Sequence, residues 1–190
     1  MYRLLCATDP RWLEVVLADF NSFLLDHAAC ERKASAMAMS MVVHYPDREQ
    51  LVTAMADLAI EELNHFRQVL KLIRQRGLQL VSDSKDPYIS VFSKALRHGR
   101  EDYFLDKLLM ASIVEARGFE RFALLAQALA EPQAQQFYRS IAQSEEKHFH
   151  LFLSLAGHYF AAPTINARLD ALLQVEADIV TSLEFRAALH

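Results

Sequence analysis

Two polar pairs interrupt otherwise regular apolar seams in this chain, and they recur 83 residues apart. Alternating steps of four and three from Leu51 pass through Leu51, Met55, Leu58, Glu62, His65, Val69 and Leu72, which is the spacing of one face of an α-helix. Only Glu62 and His65 are out of place. From Ala134 the same stepping gives Ala134, Tyr138, Ile141, Glu145, His148, Phe152, Leu155 and Tyr159, so the Glu-x-x-His interruption appears a second time. A buried, uncompensated carboxylate costs several kcal/mol. A fold that buries these seams must therefore supply positive charge to them.

The surrounding pattern is helical almost throughout. Four Gly and five Pro in 190 residues, with 53% hydrophobic residues, favour side chains that lose little entropy in a helix and give one sizeable core. A helix is expected to start at Thr8 or Asp9, with Pro10 in its first turn, and to run unbroken to about His44. Asp47 and Gln50 have capping-box spacing for a second helix that ends near Gly77. After a turn-rich connection come a short helical piece around Ile89 to Arg97 and a long helix over about Glu101 to Ala130. Pro132 then separates a helix running to about Phe160, and a last one is expected over about Ala167 to Leu189. The spacing predicts an all-α, antiparallel four-helix bundle in a single domain over residues 1–190. It has a long connection between its second and third helices and an additional C-terminal helix.

The other two long helices carry their own acids. Glu31 lies on the seam Phe20, Leu24, His27, Glu31, Ala34, Ala38 and Met41, and Glu115 lies among Leu108, Ala111, Gly118, Phe122 and Leu125. Glu31 precedes Glu62 by 31 residues and Glu115 precedes Glu145 by 30. Going up one arm and down the other at about 1.5 Å per residue returns each pair to nearly the same height. A single Glu-x-x-His arises by chance about half a time in such a chain. Two copies, each matched by a partner glutamate, form an internal repeat. No seam-facing Lys or Arg is expected at that level, whereas two divalent ions would balance four carboxylates. Oxygen-rich ligation with one imidazole per metal suits iron or manganese better than tetrahedral zinc. One Glu from each of two helices and Glu-x-x-His from each of two others is the ferritin-like di-iron arrangement. Glu31, Glu62, His65, Glu115, Glu145 and His148 are the expected ligands.

Other residues admit plainer readings. A lone buried Glu/His pair is usually a hydrogen-bonded core pair. His27 is an alternative ligand, or otherwise a supporting or packing residue beside Glu31. Glu61 is placed to accept a hydrogen bond from a ligating imidazole, with Ser144 in the equivalent place of the other half. Glu146 and His150 fall off the seam and are expected in solvent. Gly118 either opens room for substrate or lets two helices approach. Phe66, Phe119, Phe122, Phe149 and Phe152 are mostly core, with an apolar pocket as the alternative. Arg67, Lys71 and Arg74 form one basic line and Arg117 with Arg121 another. Such lines are usually solvated faces, and the alternative is a patch that contacts phosphates.

A net charge of −4 counts against a general nucleic-acid binder, and neither DNA nor a membrane is an expected partner. Cys6 and Cys30 are too few for a disulfide framework. The start, MYRLLCATDPRW, lacks the basic and apolar regions of a signal peptide, so a cytoplasmic location is expected.

The stretches LLDHAACERKASAMAMSMV, LAIEELNHF, DPYI, IVEARGFERFALLA and SEEKHFHLF resemble the tRNA-(2-methylthio-isopentenyladenosine) hydroxylases, the MiaE family, over nearly the full chain. IVEARGFERF is the most distinctive of them. The resemblance implies a non-haem di-iron monooxygenase holding two iron ions, with O₂ as co-substrate and an external electron donor, a reductase of unspecified identity. It would hydroxylate the isopentenyl tail of the hypermodified adenosine beside the anticodon of tRNA, and its ligand positions land on the same six residues. The basic lines then become candidate tRNA contacts. Two other functions share parts of the pattern. A ferritin-like ferroxidase or iron-handling protein would use the same six ligands, and a metal-free helical interaction module would use none. A rubrerythrin-type site needs four cysteines for its further iron, two more than this chain has.

Overall fold

The computed structural model describes residues 4–190. Its seven α-helices are α1 (Pro10–Ala18), α2 (Phe20–His44), α3 (Glu49–Gln75), α4 (Pro87–Phe92), α5 (Arg100–Ala128), α6 (Pro132–Tyr159) and α7 (Ala162–Ser182), with a single 3₁₀ turn, Ser93–Ala95, after α4. No strand occurs among the described residues. The all-α expectation holds, and α2, α3, α5 and α6 are the four long helices that carry the repeated acids.

Several boundaries differ from the sequence expectation for local reasons. The first helical run is broken: Asp19 takes a non-helical conformation between α1 and α2 and accepts a hydrogen bond from the Ser22 amide at 3.1 Å. At the start of α1, Asp9 accepts from the Arg11 amide at 2.9 Å, which leaves Thr8 to other partners. The expected capping box on α3 does not form, because Arg48 occupies the N-cap and makes no side-chain capping bond. The other end of α3 behaves as expected. Gly77 has φ of +70°, its amide reaches Arg74 O at 3.0 Å and the Leu78 amide reaches Ile73 O at 3.1 Å. This is a Schellman motif, which needs a left-handed residue that glycine supplies without strain. The last helix starts earlier than expected, because Pro163 fits a first turn, where a missing N–H costs nothing, and it stops sooner, at Ser182.

The chain divides into two compact units. One comprises Glu14–Ser84 and Arg186–Leu189, and its centre is the α2–α3 hairpin. Phe23, Leu24, Ala28, Ala38 and Met41 of α2 are buried, as are Leu51, Met55, Leu58, Val69 and Ile73 of α3. Ser35 Oγ donates to Ala59 O at 2.8 Å and ties the two arms together.

The other unit comprises the residues through Leu13, Lys85–Phe185 and His190. In it α5 packs along α6, and α7 packs on α4, α5 and α6. Ser112 Oγ donates to Phe149 O at 2.9 Å across the α5–α6 pair. Helix α5 is buried on more than one side, since it also serves α7. Asp106 of α5, fully buried, accepts from both Arg97 and Arg168, which fixes the approach to α5 and the start of α7 to one carboxylate.

Candidate metal centre

Helix α2 brings Glu31 and helix α3 brings Glu62 and His65 to the interior of the α2–α3 hairpin, all buried. One ligand atom from each lies within 4.8 Å of the others. His65 Nδ1 is 3.6 Å from Glu31 Oε2 and 3.7 Å from Glu62 Oε2. His27, one turn before Glu31 and completely buried, places its Nε2 2.5 Å from Glu31 Oε1. A carboxylate is purely an acceptor, so His27 donates. Burial alone would raise the Glu31 carboxyl, but hydrogen bonds from His27 and His65 outweigh it and hold it below the usual carboxylate range. Burial presses the His65 imidazole down, and the same two acids reverse that and lift it to about 9. A proton on His65 is thus one charge that can balance the pair. A divalent ion, which needs the imidazole neutral, would take the proton's place.

In the second unit, α5 supplies Glu115 and α6 supplies Glu145 and His148, again all buried. One ligand atom from each of these three also lies within 4.8 Å of the others, and His148 Nδ1 is 3.6 Å from Glu145 Oε2. Gly118 stands beside this group. A Cβ built on it would lie 3.8 Å from Glu145 Cγ and 3.9 Å from its Oε2, ordinary contact distances. Each hairpin therefore groups two carboxylates with the imidazole of its Glu-x-x-His in its core, and the α2–α3 hairpin adds His27 behind Glu31. That donor set fits a divalent ion of intermediate hardness, and without thiolates it does not favour a soft one.

The basic lines separate into two kinds. Arg67, Lys71 and Arg74 are exposed on α3, as a phosphate-contacting face requires. Arg117 and Arg121 are not. Arg117 is completely buried, with Nε 2.8 Å from Glu176 Oε1, Nη2 3.1 Å from Glu176 Oε2 and 2.7 Å from Cys6 O, and Nη1 bonded to Thr8 and Glu120. Arg121 is 5% exposed and stacks on the Trp12 ring, and burial drops its guanidinium to about 10. These two arginines belong to the core, which corrects the expectation of a surface line. They also show that seam-facing arginines exist close to Glu115 in sequence, with Arg117 committed to Glu176.

Glu61 is half-buried, His150 is exposed and Glu146 is half-buried. Phe122, Phe149 and Phe152 are buried, while Phe66 and Phe119 are half-buried. Sequence reasoning missed Glu176 and Tyr88, whose hydroxyl donates to Glu176 Oε1 at 3.3 Å. Glu176 carried the signal that marked Glu62, since it breaks the α7 seam of Ile165, Leu169, Leu172 and Ile179.

Long helical hairpins, each with a buried glutamate on one arm and Glu-x-x-His on the other, define the ferritin-like class of all-α proteins with carboxylate–histidine metal groups. The chain belongs to the family described as tRNA-(MS[2]IO[6]A)-hydroxylase (MiaE), whose model matches residues 2–190. A Pseudomonas putida protein named tRNA 2-(methylsulfanyl)-N(6)-isopentenyladenosine(37) hydroxylase is 33% identical over 185 residues, 97% of this chain and 90% of its own length. A Salmonella typhimurium protein of the same name is 36% identical over 163 residues, 85% of this chain and 59% of the relative. Among solved structures, a Synechococcus protein described as having aldehyde deformylating oxygenase activity matches with a TM-score of 0.94 at 35% identity, over 98% of this chain and 93% of that one. Among the described residues, no helix is long and apolar enough to cross a membrane.

Proposed function

We propose that the chain is an O₂-dependent non-haem di-iron monooxygenase that hydroxylates the isopentenyl side chain of the hypermodified adenosine next to the anticodon in tRNA. The observation that carries this reading is the doubled set of one glutamate and one Glu-x-x-His, buried in both hairpins of a chain that belongs to the MiaE family. Glu31, Glu62, His65, Glu115, Glu145 and His148 are the proposed ligands of two iron ions. Residues 1–190 are read as a single ferritin-like di-iron domain, the extent over which the family model matches from residue 2 onward.

Bound iron would supply reductive activation of O₂, in which two electrons and two protons accompany insertion of one oxygen atom into a C–H bond and release of the other as water. The chain's own residues do the remainder. The six ligands hold the donor geometry, and the packed seams above and below them exclude water from it. His27 and Glu61 are supporting residues, the first through its hydrogen bond to Glu31. The substrate tail is apolar, and the aromatic residues beside the ligands in sequence, Phe119 and Phe149 among them, are suited to wall it. Arg67, Lys71 and Arg74 are exposed at helical spacing and fit a run of phosphates. The electrons come from a separate reductase, and a tRNA substrate places the enzyme in the cytoplasm.

The test is nucleoside mass spectrometry of tRNA from cells lacking this protein. The hypermodified adenosine should lose one oxygen atom, and the gene restored with intact ligands should return it. Unchanged nucleosides would overturn the assignment.

A further inference from the structure

The internal repeat that relates the two ligand groups is broken at one chemically important place. Glu31 and Glu115 correspond at an offset of 84, and the residue four before each lies one helical turn away on the same face. Before Glu31 that residue is His27, whose Nε2 lies 2.5 Å from Oε1. Before Glu115 it is Ala111, a methyl group with nothing to donate. The imidazole cannot swing away cheaply, because it is completely buried and its ring lies 5.9 Å from that of Phe23.

We propose that His27 is a positioning residue that holds Oε1 of Glu31, so that Glu31 meets its metal through Oε2 alone. The inference rests on the di-iron reading above and deepens it. Oε2 is the oxygen that faces His65, at 3.6 Å, on the ligand side of the carboxylate. A hydrogen bond to the other oxygen fixes the rotation of the carboxylate and withdraws charge from it, as partners behind metal ligands generally do. Ala111 imposes neither constraint on Glu115. The position served by Glu31 is consequently pre-arranged for one-oxygen ligation.

The experiment is an anaerobic titration of the metal-free full chain with Fe(II), and in parallel with Co(II), followed by calorimetry and by the visible bands of cobalt. The unaltered protein should take up two equivalents in two resolved steps. In His27→Ala one step should weaken by about ten- to a hundredfold, the typical consequence of removing such a partner, while the other stays put and the total remains two. His27→Gln, which retains a donor of similar reach, should recover part of the loss and guards against a variant that fails to fold. Both steps unchanged in His27→Ala would overturn the proposal and leave His27 as packing. Loss of a whole equivalent would also overturn it, by making His27 a ligand. Fewer than two equivalents in the unaltered protein would instead sink the di-iron reading itself, a result the titration distinguishes from the other two.

Discussion

Arg117 and Glu176 meet as a completely buried two-point ion pair, Nε to Oε1 at 2.8 Å and Nη2 to Oε2 at 3.1 Å. The pair joins α5 to α7, and the remaining guanidinium bonds reach Thr8, the Cys6 carbonyl and the partly exposed carboxylate of Glu120. Burial presses the Arg117 guanidinium down, and Glu176 outweighs it and keeps it raised. Removing Glu176 leaves the buried Nε and Nη2 of Arg117 without their carboxylate acceptor, with Glu120 as the remaining carboxylate on Nη1. Glu176→Ala should therefore destabilise the protein by about 3–5 kcal/mol, and Arg117→Met combined with Glu176→Leu by much less. Urea denaturation of the single and double variants checks this. Equal losses in both would mean that the cost lies in packing rather than in stranded charge.

Glu176 also marks the limit of what the seams disclose. It breaks an apolar face just as Glu62 and Glu145 do, yet its compensating charge is a guanidinium. A misplaced carboxylate announces that a cation is due without naming the cation. What distinguished the six proposed ligands was repetition with matched spacing, which survives in a linear chain. Glu176 has no repeat, and its partner lies 59 positions away, so no local spacing records the pair. The misreading of Arg117 and Arg121 has the same origin. Residues four apart on a helix look alike whether that face meets water or a further helix, and α5 is covered by α7 as well as α6. The four long helices were legible because their apolar periods run for many turns. The break at Asp19 was not, because one capping residue had to outweigh a continuous apolar pattern.

Asp106 should contribute a measurable share of the acid sensitivity. Burial raises its carboxyl, and the hydrogen bonds from Arg168 and Arg97 overcome that and hold it below the ordinary range. A carboxylate whose folded pKa is depressed contributes stability above its unfolded value, about 3.9, and loses it as pH falls through the folded value. The stability gap between the unaltered protein and Asp106→Asn should thus be full at pH 6 and shrink steadily below pH 4. Urea midpoints for both proteins across that range measure it. A gap that persists at the lowest pH at which both remain folded would assign it to lost hydrogen-bond geometry instead of charge.

Gly118 is a glycine whose replacement should help folding. It lies inside α5 with helical backbone, and an added Cβ would only touch Glu145 at ordinary distances. Gly118→Ala should raise stability by about 0.5–1 kcal/mol through reduced chain entropy in the unfolded state. Metal uptake should be unchanged, because contact at 3.8 Å does not require Glu145 to move. A higher unfolding midpoint with lowered turnover would show that the space beside Glu145 belongs to the substrate, whereas a lower midpoint would contradict the geometry.

Glu115→Ala should abolish O₂-dependent hydroxylation while leaving the helices formed. The flanking seam of Leu108, Phe122 and Leu125 is completely buried and supplies packing that does not depend on the carboxylate. Far-ultraviolet circular dichroism should match that of the unaltered protein, and iron content should fall. Turnover retained in this variant would remove Glu115 from the proposed ligand set.

The stripe of Arg67, Lys71 and Arg74 carries the last prediction. These side chains are exposed along about two turns of α3, on the helix that also supplies Glu62 and His65, so a backbone bound there would lie on the same element as proposed ligands. With a net charge of −4, the protein does not attract a polyanion as a whole, and a local stripe must do the work. Each phosphate contact made to a single-stranded loop adds about −0.7 to the slope of log affinity against log salt. Replacing all three by Gln should weaken binding of an anticodon stem-loop and flatten that slope by about two units, with binding of free modified nucleoside unaffected. Filter binding between 50 and 200 mM salt, roughly the range over which such losses are large, reads both quantities. Weaker binding with an unchanged slope would point to base or ribose contacts instead, and no change in either would send the search for the phosphate track to another helix.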